Sequence, residues 1–206
     1  MTRLLPGILA MAAIVVASNI LVQVLLGQWL TWGAVTYPLA FLVTDVMNRL
    51  YGPATARKVV LAGFLTGVAC SLVGTQIEGP HGPIVTFRVA IGSGTAFLVA
   101  QLLDIAVFDR FRGGRWWRAP LISSGVGSAV DTALFFGIAF SASLSFLNPG
   151  EDIAWANEVL PLIGLGPEVP LWMSLALADW LLKFALAILA LVPFHVITRR
   201  LRPRMA

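Results

Sequence analysis

Six ionisable side chains lie inside long apolar runs of the sequence. They are Asp45, Arg88, Asp104, Asp131, Asp179 and Lys183, and Arg49 lies at the end of one run. A charged group at the centre of a bilayer costs roughly 3 kcal/mol on insertion scales, so such groups face one another or a polar cavity. We expect them either to lock a helix bundle through ion pairs or to bind a polar ligand.

Asp179 and Lys183 are four residues apart, which places them on one face of a helix. They can pair without a second helix, so we expect this pair to be structural. When this pair is left out, the remaining ionisable residues inside the apolar runs include more acids than cations. Only neighbouring helices or a ligand can neutralise this surplus of acid. The remaining groups are the acids Asp45, Asp104 and Asp131 and the cations Arg88 and Arg49.

Two apolar runs share a pattern of a polar residue, an Asp three positions later and a Phe four positions after that. The pattern is Gln101, Asp104 and Phe108 in one run, and Ser128, Asp131 and Phe135 in the next. At helical spacing, the three side chains of each set lie on one face. Because consecutive spans run in opposite directions, the two faces could converge on one site, as in carriers built from inverted repeats.

This set of carboxylates, amides, hydroxyls and rings suits a planar, nitrogen-rich heterocycle. A carboxylate accepts two parallel N–H bonds, for example from N1 and the 2-amino group of a guanine-type base, while aromatic rings hold its faces. A cation or a proton would also fit the carboxylates, with less use for the rings. The expected ligand contacts are Asp131, Asp104, Gln101 and Ser128, with Phe108 or Phe135 as stacking rings.

Six apolar runs must position these residues, at about 5–27, 33–51, 58–77, 85–109, 119–145 and 171–196. Helices of this length cross the ~30 Å hydrocarbon core. The chain is 58% hydrophobic and 12% charged, with a mean hydropathy of +0.87, which excludes a soluble globule. The sequence predicts an all-α, polytopic membrane protein, with residues 1–206 as a single domain of six transmembrane helices.

Positive charge alternates between the connections of these spans. Arginine and lysine lie before the first span, between the second and third, between the fourth and fifth, and after the sixth; the other connections have none. The positive-inside rule then places both termini in the cytoplasm. The outer connection at 146–170, rich in Pro and Gly, is predicted to form a structured cap at the membrane surface.

Several classes of protein are excluded. The sequence has no G-x-x-x-x-G-K-[ST] loop for ATP, no metal-ligand spacing and a single cysteine, so we expect no cofactor or metal. No nucleophile and base stand at a reachable spacing, which argues against an enzyme. The net charge of +4 is spread over short connections and is explained by topology, so no nucleic acid is expected to bind directly.

The stretch TYPLAFLVTDVMNRLYGPATARK, from Thr36 to Lys58, is the most specific sequence signal. It is followed by FRVAIGS at 87–93, QLLDIAVF at 101–108, SSGVGSAVDT at 123–132 and DWLLKF at 179–184. In this order the segments resemble the queuosine precursor transporter family, also called the vitamin uptake transporter type, over nearly all of the chain. Where a common form of the motif reads N-E-x-Y-G, this sequence has Arg49 in place of the acid.

The resemblance implies a bacterial inner-membrane importer of the deazapurines preQ0 and preQ1, the 7-deazaguanine precursors of queuosine in tRNA. It also implies a small carrier similar in size to the substrate-binding subunits of energy-coupling-factor transporters. It adds Asp45 and Asn48 to the expected substrate contacts. Arg88, Asp179 and Lys183 also fall on the family's polar intramembrane positions, and we expect them to form a gating or ion-pair network.

Other interpretations stay open. The chain could be a substrate-binding subunit that needs separate ATPase and coupling proteins, or a structural membrane anchor. A carrier could be a uniporter that relies on consumption of its substrate, or a proton symporter. The acid surplus favours preQ1, which has an aminomethyl cation, or tolerance of both bases. Besides the substrate and the lipid bilayer, a second copy of the chain is a candidate partner, since small membrane chains often form dimers.

Overall fold

The computed structural model describes residues 4–79 and 82–201, which form seven α-helices joined by short hairpins and 3-10 turns. The helices are α1 (Leu5–Leu21), α2 (Trp32–Thr36), α3 (Leu39–Tyr51), α4 (Pro53–Gly74), α5 (Phe87–Phe111), α6 (Arg118–Phe140) and α7 (Leu171–Leu201). Among these described residues, four helices are long and apolar enough to cross a membrane: α4, α5, α6 and α7. The 17-residue α1 is a shorter apolar helix.

The predicted span at 33–51 is divided into α2 and α3 by a break at Tyr37 and Pro38. Proline lacks the N–H that an α-helix needs, and its ring clashes with the carbonyl of the preceding turn. Both residues keep helical dihedral angles, and Ala40 N donates to Tyr37 O across 2.9 Å. The break is therefore a kink between two nearly continuous helices.

Helix α1 ends at Leu21, six residues before the predicted end of the span at 27, because a hairpin follows it. In this hairpin β1 (Leu25–Leu26) pairs with β2 (Leu30–Thr31), and Gly27 takes a positive φ of 70° in the turn. Helix α4 begins at Pro53, earlier than the predicted residue 58. Proline favours the first turn of a helix, and the charges at 57 and 58 had suggested a connection instead.

The connections on one side of the bundle form small hairpins. Between α4 and α5, β3 (Glu78–Gly79) pairs with β4 (Gly82–Pro83). The segment at 146–170, predicted as an outer cap, begins within a 3-10 helix at Ala142–Leu147. It contains a 3-10 turn at Ala154–Asn157 and a hairpin of β5 (Val159–Pro161) with β6 (Glu168–Pro170).

Small residues allow the helices to approach closely around a buried centre. A Cβ at Gly92 of α5 would lie 3.2 Å from the Phe135 carbonyl oxygen of α6, which shows how near the two backbones run. An apolar core fills the space between α1, α3, α4 and α5, with Met11, Val60 and Phe97 among its buried members. Large apolar side chains on the outer face of α7 are exposed, as expected of a lipid-facing helix.

Candidate functional site

Lys183 of α7 lies between two carboxylates in the interior. Its Nζ is 2.7 Å from Asp131 Oδ2 of α6 and 2.6 Å from Asp179 Oδ2 of α7, and it donates to Thr132 Oγ1 across 3.2 Å. These contacts use all three hydrogens of the ammonium group. Thr132 in turn donates to Asp179 across 2.7 Å. The pairing of Asp179 and Lys183 is thus part of a network that includes α6. Asp131, which the sequence analysis placed among the surplus acids, is also paired with Lys183.

Tyr37, at the break between α2 and α3, completes this group. Its hydroxyl donates to Asp131 Oδ1 across 3.0 Å, and Lys183 Nζ lies 5.3 Å from the centre of its ring. We call Tyr37, Asp131, Thr132, Asp179 and Lys183 the lysine cluster. Sequence reasoning missed Tyr37 and Thr132. A tyrosine before a proline in an apolar run was the available signal, because a buried hydroxyl needs a partner.

Asp45 of α3 and Asp104 of α5 form a second polar group, which we call the acid pair. Asp45 accepts hydrogen bonds from Ser123 Oγ across 3.1 Å and from Ser124 Oγ across 3.2 Å. Asp104 approaches the same part of α6, because a Cβ at Gly127 would lie 3.3 Å from Asp104 Cβ. The two aspartates are 2% and 0% exposed. Neither oxygen of Asp104 has a hydrogen-bond partner in the described part of the chain.

Two polar contacts between α3 and α5 flank the acid pair. Thr44 Oγ1 donates to Gln101 Oε1, and Asn48 Nδ2 donates to the Ile105 carbonyl oxygen across 3.3 Å. Gln101 Nε2 is buried and has no partner among the described residues. One turn of α5 therefore presents an unsatisfied donor and, on Asp104, two unsatisfied acceptors. Each such group costs about 1–3 kcal/mol, and its presence in a folded protein requires an explanation.

A narrow cleft between α3, α6 and α7 connects the two groups. Its polar lining is Asp45, Ser124, Ser128 and Lys183, and its apolar lining includes Phe41 and Phe194. Ser128 Oγ donates to the Gly125 carbonyl oxygen across 3.1 Å. Only about 10 Å³ is open to the centre of a water molecule, which is room for about one water. The helices must therefore separate before a larger ligand can enter.

Phe194, which lines the cleft, packs against Phe108, and Phe108 also contacts Arg49 and Arg112. We call these four residues the plug. The guanidinium carbons of Arg49 and Arg112 lie 5.3 Å and 5.5 Å from the centre of the Phe108 ring. The rings of Phe108 and Phe194 meet edge to face at 6.1 Å. Arg49 Nη1 donates to the Arg112 carbonyl oxygen across 3.0 Å, so the plug ties α3 to the end of α5. Cation–π contacts of this kind stabilise the closed arrangement.

Phe135 lies away from the cleft, in an aromatic group at the other end of α6. Its ring is 5.2 Å from that of Phe136 and 5.9 Å from that of Phe140, which contacts Trp155 of the outer segment. The structure therefore does not bring Phe135 and Phe108 to one site. The two aspartates of the repeated pattern also lie in different groups, Asp104 in the acid pair and Asp131 in the lysine cluster.

Arg88 is fully buried at the start of α5 and binds the end of α6. Its Nε and Nη2 donate to the Ile138 carbonyl oxygen across 3.1 Å and 2.9 Å, and Nη2 donates to the Ser141 carbonyl oxygen across 2.7 Å. A cation at a helix C-terminus is favoured by the helix dipole. Among the described residues Arg88 forms no ion pair with an acid, so its contacts join two helices rather than the polar groups.

No three His, Cys, Asp or Glu side chains come together to hold a metal ion in residues 4–79 and 82–201. Long apolar helices around a buried polar cleft define the class: a polytopic membrane protein.

Residues 31–198 match the family described as "Putative vitamin uptake transporter". The chain belongs to this vitamin uptake transporter family, which confirms the resemblance found in the sequence, and it is a transporter of a small molecule rather than an enzyme. The chain is 31% identical to the "Queuosine precursor transporter" of Escherichia coli, over 94% of this chain and 85% of that one.

Two further relatives are each named "Probable queuosine precursor transporter". The one from Haemophilus influenzae is 33% identical over 84% of this chain and 72% of its own length. The one from Bacillus subtilis is 28% identical over 87% of this chain and 76% of its own length. No solved structure matches the chain at a significant level.

Proposed function

We propose that this protein imports the queuosine precursors preQ0 and preQ1 across the inner membrane of a bacterium, as a carrier that supplies tRNA modification. The names of its relatives support this substrate class. The structural observation that carries the proposal is the set of unsatisfied atoms on α5: the Nε2 donor of Gln101 and the two acceptor oxygens of Asp104.

A guanine-type base presents the opposite set along one edge: the O6 acceptor, the N1–H donor and the 2-amino donor. The Asp104 carboxylate would accept the two N–H bonds in parallel, and Gln101 Nε2 would donate to O6. Residues three apart on a helix share a face, so one planar edge can reach both side chains. A 7-deazaguanine keeps this edge unchanged, because its modification lies on the five-membered ring.

Helix α3 covers these atoms in the structure, so the base must enter when α3 separates from α5. The ends of α3 allow such a movement: the kink at Pro38 precedes it, and Gly52, with a positive φ of 85°, follows it. Asp45 and Asn48 would then line the opened site. Phe41, which already lines the cleft, is better placed to stack on the base than Phe108 or Phe135.

The lysine cluster and the acid pair together contain four aspartates and one lysine. This surplus favours preQ1, whose aminomethyl group is a cation, over neutral preQ0. Ser128 lines the cleft between the two groups, and Lys183 of the lysine cluster also lines it. In this proposal the lysine cluster positions α6 and α7 around the cleft, and Arg88 holds α5 to α6.

We further propose six membrane spans, with α1 as the first and α2 with α3 as the second, and both termini in the cytoplasm. The contact of Arg112 with Asn48 and that of Trp116 with His195 support the placement of the ends of α3, α5 and α7 on one side. Arginines cluster at this side. A bond from Gln23 Nε2 to the Ile84 carbonyl oxygen, 3.2 Å long, joins two hairpin connections on the other side. The similarity in size to energy-coupling-factor substrate-binding subunits and the homodimer stay predictions.

The test is uptake of labelled preQ0 and preQ1 by proteoliposomes that contain the purified protein, with guanine and adenine as competitors. Asp104→Asn is expected to lower uptake about 10- to 100-fold, since it removes an ionised acceptor. Asp152→Asn is the matched control: the same change at an exposed residue of the outer segment, expected to transport like the wild type.

Absence of uptake by folded wild-type protein, or equal uptake by Asp104→Asn, would contradict the proposal. Uptake only in the presence of co-reconstituted ATPase and coupling proteins would instead assign the chain as their substrate-binding subunit.

A further inference from the structure

We propose that a groove between the start of α4 and the end of α5 binds an anionic phospholipid, with the lipid phosphate held between Arg57 and Arg110. This inference does not depend on the identity of the transported substrate. The groove, which we call the α4–α5 groove, is open and has a volume of about 470 Å³. Its lining consists of Pro53 and Arg57 of α4 and of Ile105, Ala106, Asp109 and Arg110 of α5.

The two arginines of the α4–α5 groove are not used elsewhere in the described part of the chain. Arg57 and Arg110 are exposed, and neither guanidinium group forms a hydrogen bond or an ion pair within residues 4–79 and 82–201. Asp109, the acid of the groove, accepts from Arg112 Nε across 2.8 Å, so a cation outside the groove offsets its charge. The groove therefore has an excess of positive charge that a bound anion can neutralise.

A phosphate group suits two arginines on neighbouring helices. A guanidinium group donates two parallel N–H bonds to phosphate oxygens, and such charge-assisted bonds are stronger than those between neutral groups. Without an anion, the guanidinium groups of Arg57 and Arg110 repel each other, which disfavours the packing of α4 on α5 at this end. A phosphodiester group has one negative charge and removes this repulsion. Basic pockets between membrane helices bind lipid head groups for the same reason.

An apolar surface continues from each arginine along its helix. On α4, Leu61 lies four positions after Arg57 and is 52% exposed. On α5, which runs in the opposite direction, Ala106 and Leu102 lie four and eight positions before Arg110 and are also exposed. Residues four apart share a helix face, and both helices are long and apolar enough to cross a membrane. Both surfaces therefore lead from the groove towards the middle of the bilayer.

This order of charge and apolar surface matches a phospholipid better than a soluble phosphate compound. A phospholipid has its phosphate at the membrane surface and its acyl chains along the helices, so one molecule contacts the arginines and the exposed leucines together. A soluble phosphate compound contacts the arginines alone. Phosphatidylcholine also has a trimethylammonium group, which the excess of positive charge repels. The groove therefore favours a phospholipid whose head group has a net negative charge.

The experiment is native mass spectrometry of the purified full-length protein in a neutral detergent. The protein is titrated with dioleoyl phosphatidylglycerol or with dioleoyl phosphatidylcholine, which have the same acyl chains and differ in head-group charge. The wild type is expected to bind the first molecule of phosphatidylglycerol at least about 10-fold more tightly, because only this lipid leaves the charge-assisted bonds unopposed. The double variant Arg57→Gln with Arg110→Gln should lose this preference.

Lys58→Gln with Arg115→Gln is the matched control. Both residues are exposed and neither lines the α4–α5 groove, so this double variant loses the same net charge outside the site. It should keep the preference of the wild type for phosphatidylglycerol. Equal loss of preference in the two double variants would show a general attraction of the lipid to positive charge, and the site would be wrong. Equal binding of the two lipids by the wild type would also overturn it.

Thermal unfolding in the same detergent distinguishes a lipid site from a site for free phosphate. Phosphatidylglycerol is expected to raise the unfolding temperature of the wild type, because a ligand of the folded state stabilises it, and to have little effect on Arg57→Gln with Arg110→Gln. Sodium phosphate at constant ionic strength should not raise it. If inorganic phosphate stabilises the wild type as much as the lipid does, through the same two arginines, the lipid assignment is wrong.

The variants change exposed side chains only, so we expect them to fold, and their unfolding temperatures without lipid check this directly. None of these measurements uses a transported substrate. Failure of the lipid site would therefore leave the proposed substrate class standing, and failure of the substrate class would leave the lipid site standing.

Discussion

The Tyr37 hydroxyl donates to the Asp131 carboxylate across 3.0 Å, which ties the kink between α2 and α3 to the middle of α6. Through this bond, a movement of α3 is linked to the lysine cluster. Tyr37→Phe removes only the hydroxyl. We expect it to lower the free energy of unfolding by about 1.5–3 kcal/mol, the value of a hydrogen bond to a charged group, and to slow uptake. Thermal unfolding in detergent measures the first effect and proteoliposome uptake the second.

Tyr51→Phe provides the control, because Tyr51 packs against the hydrophobic core at the end of α3 rather than on the lysine cluster. Equal stability and uptake of the two variants would show that the bond to Asp131 has no role.

Lys183→Met should be among the most damaging single substitutions. It removes the cation from two buried carboxylates, and the loss of one partner of a buried ion pair costs about 3–5 kcal/mol. We expect little folded protein by size-exclusion chromatography. Addition of Asp131→Asn should recover part of the folded yield by removing one stranded charge. Lys58→Met, at an exposed lysine, should leave the yield unchanged.

Gly127→Ala should impair the acid pair through packing alone. A Cβ at Gly127 would lie 2.8 Å from Phe41 Cε1 and 3.3 Å from both Asp104 Cβ and the Ala100 carbonyl oxygen. Overpacking of this kind costs about 1–3 kcal/mol, so we expect a lower unfolding temperature and weaker binding of preQ1. Gly137→Ala, on the same helix, meets no atom within 4 Å and should behave as the wild type in both assays.

Phe108→Ala should loosen the plug and open the adjacent end of the cleft. The ring lies against two guanidinium groups and Phe194, so its loss removes both packing and cation–π contacts. A cysteine introduced at Ala190, a cleft-lining residue of α7, would report this opening after the single native Cys70 is changed to serine. Its modification by a membrane-impermeant thiol reagent should become at least severalfold faster with Phe108→Ala. Unchanged labelling would show that these residues do not close the cleft.

The long helices were the most predictable elements. The runs at 85–109 and 119–145 correspond to α5 and α6, although α6 ends at Phe140, five residues before the predicted end. Charges and Gly mark the end of α5 and the start of α6, but neither marks the end of α6. Helix α1 ends before the apolar run does. Hydropathy did not predict this end, because a short hairpin of leucines is as apolar as a lipid-facing helix. The break at Pro38 was visible in the sequence, but its consequence, the placement of Tyr37 beside Asp131, depends on how α2 meets α6.

The polar residues of the site were predictable by type, and their partners were not. Burial of the acids followed from the energy of charges in lipid. The choice of Asp131 as a second partner of Lys183, or of Thr44 as the partner of Gln101, depends on the rotation of each helix about its axis. Phe135 illustrates the same limit: it shares a face with Asp131 over one turn, yet its ring lies in the aromatic group at the far end of α6.

The hydrogen bonds from Arg88 to the end of α6 have a consequence for the insertion of the protein into the membrane. Arg88 precedes its acceptors Ile138 and Ser141 by 50 and 53 residues. Until those acceptors have left the ribosome, the Arg88 guanidinium group of α5 lacks these hydrogen bonds. Transfer of the charged group into lipid in that state costs free energy. We therefore expect α5 to remain beside the insertion machinery until α6 emerges, so that the two helices leave it together as a hairpin during biosynthesis.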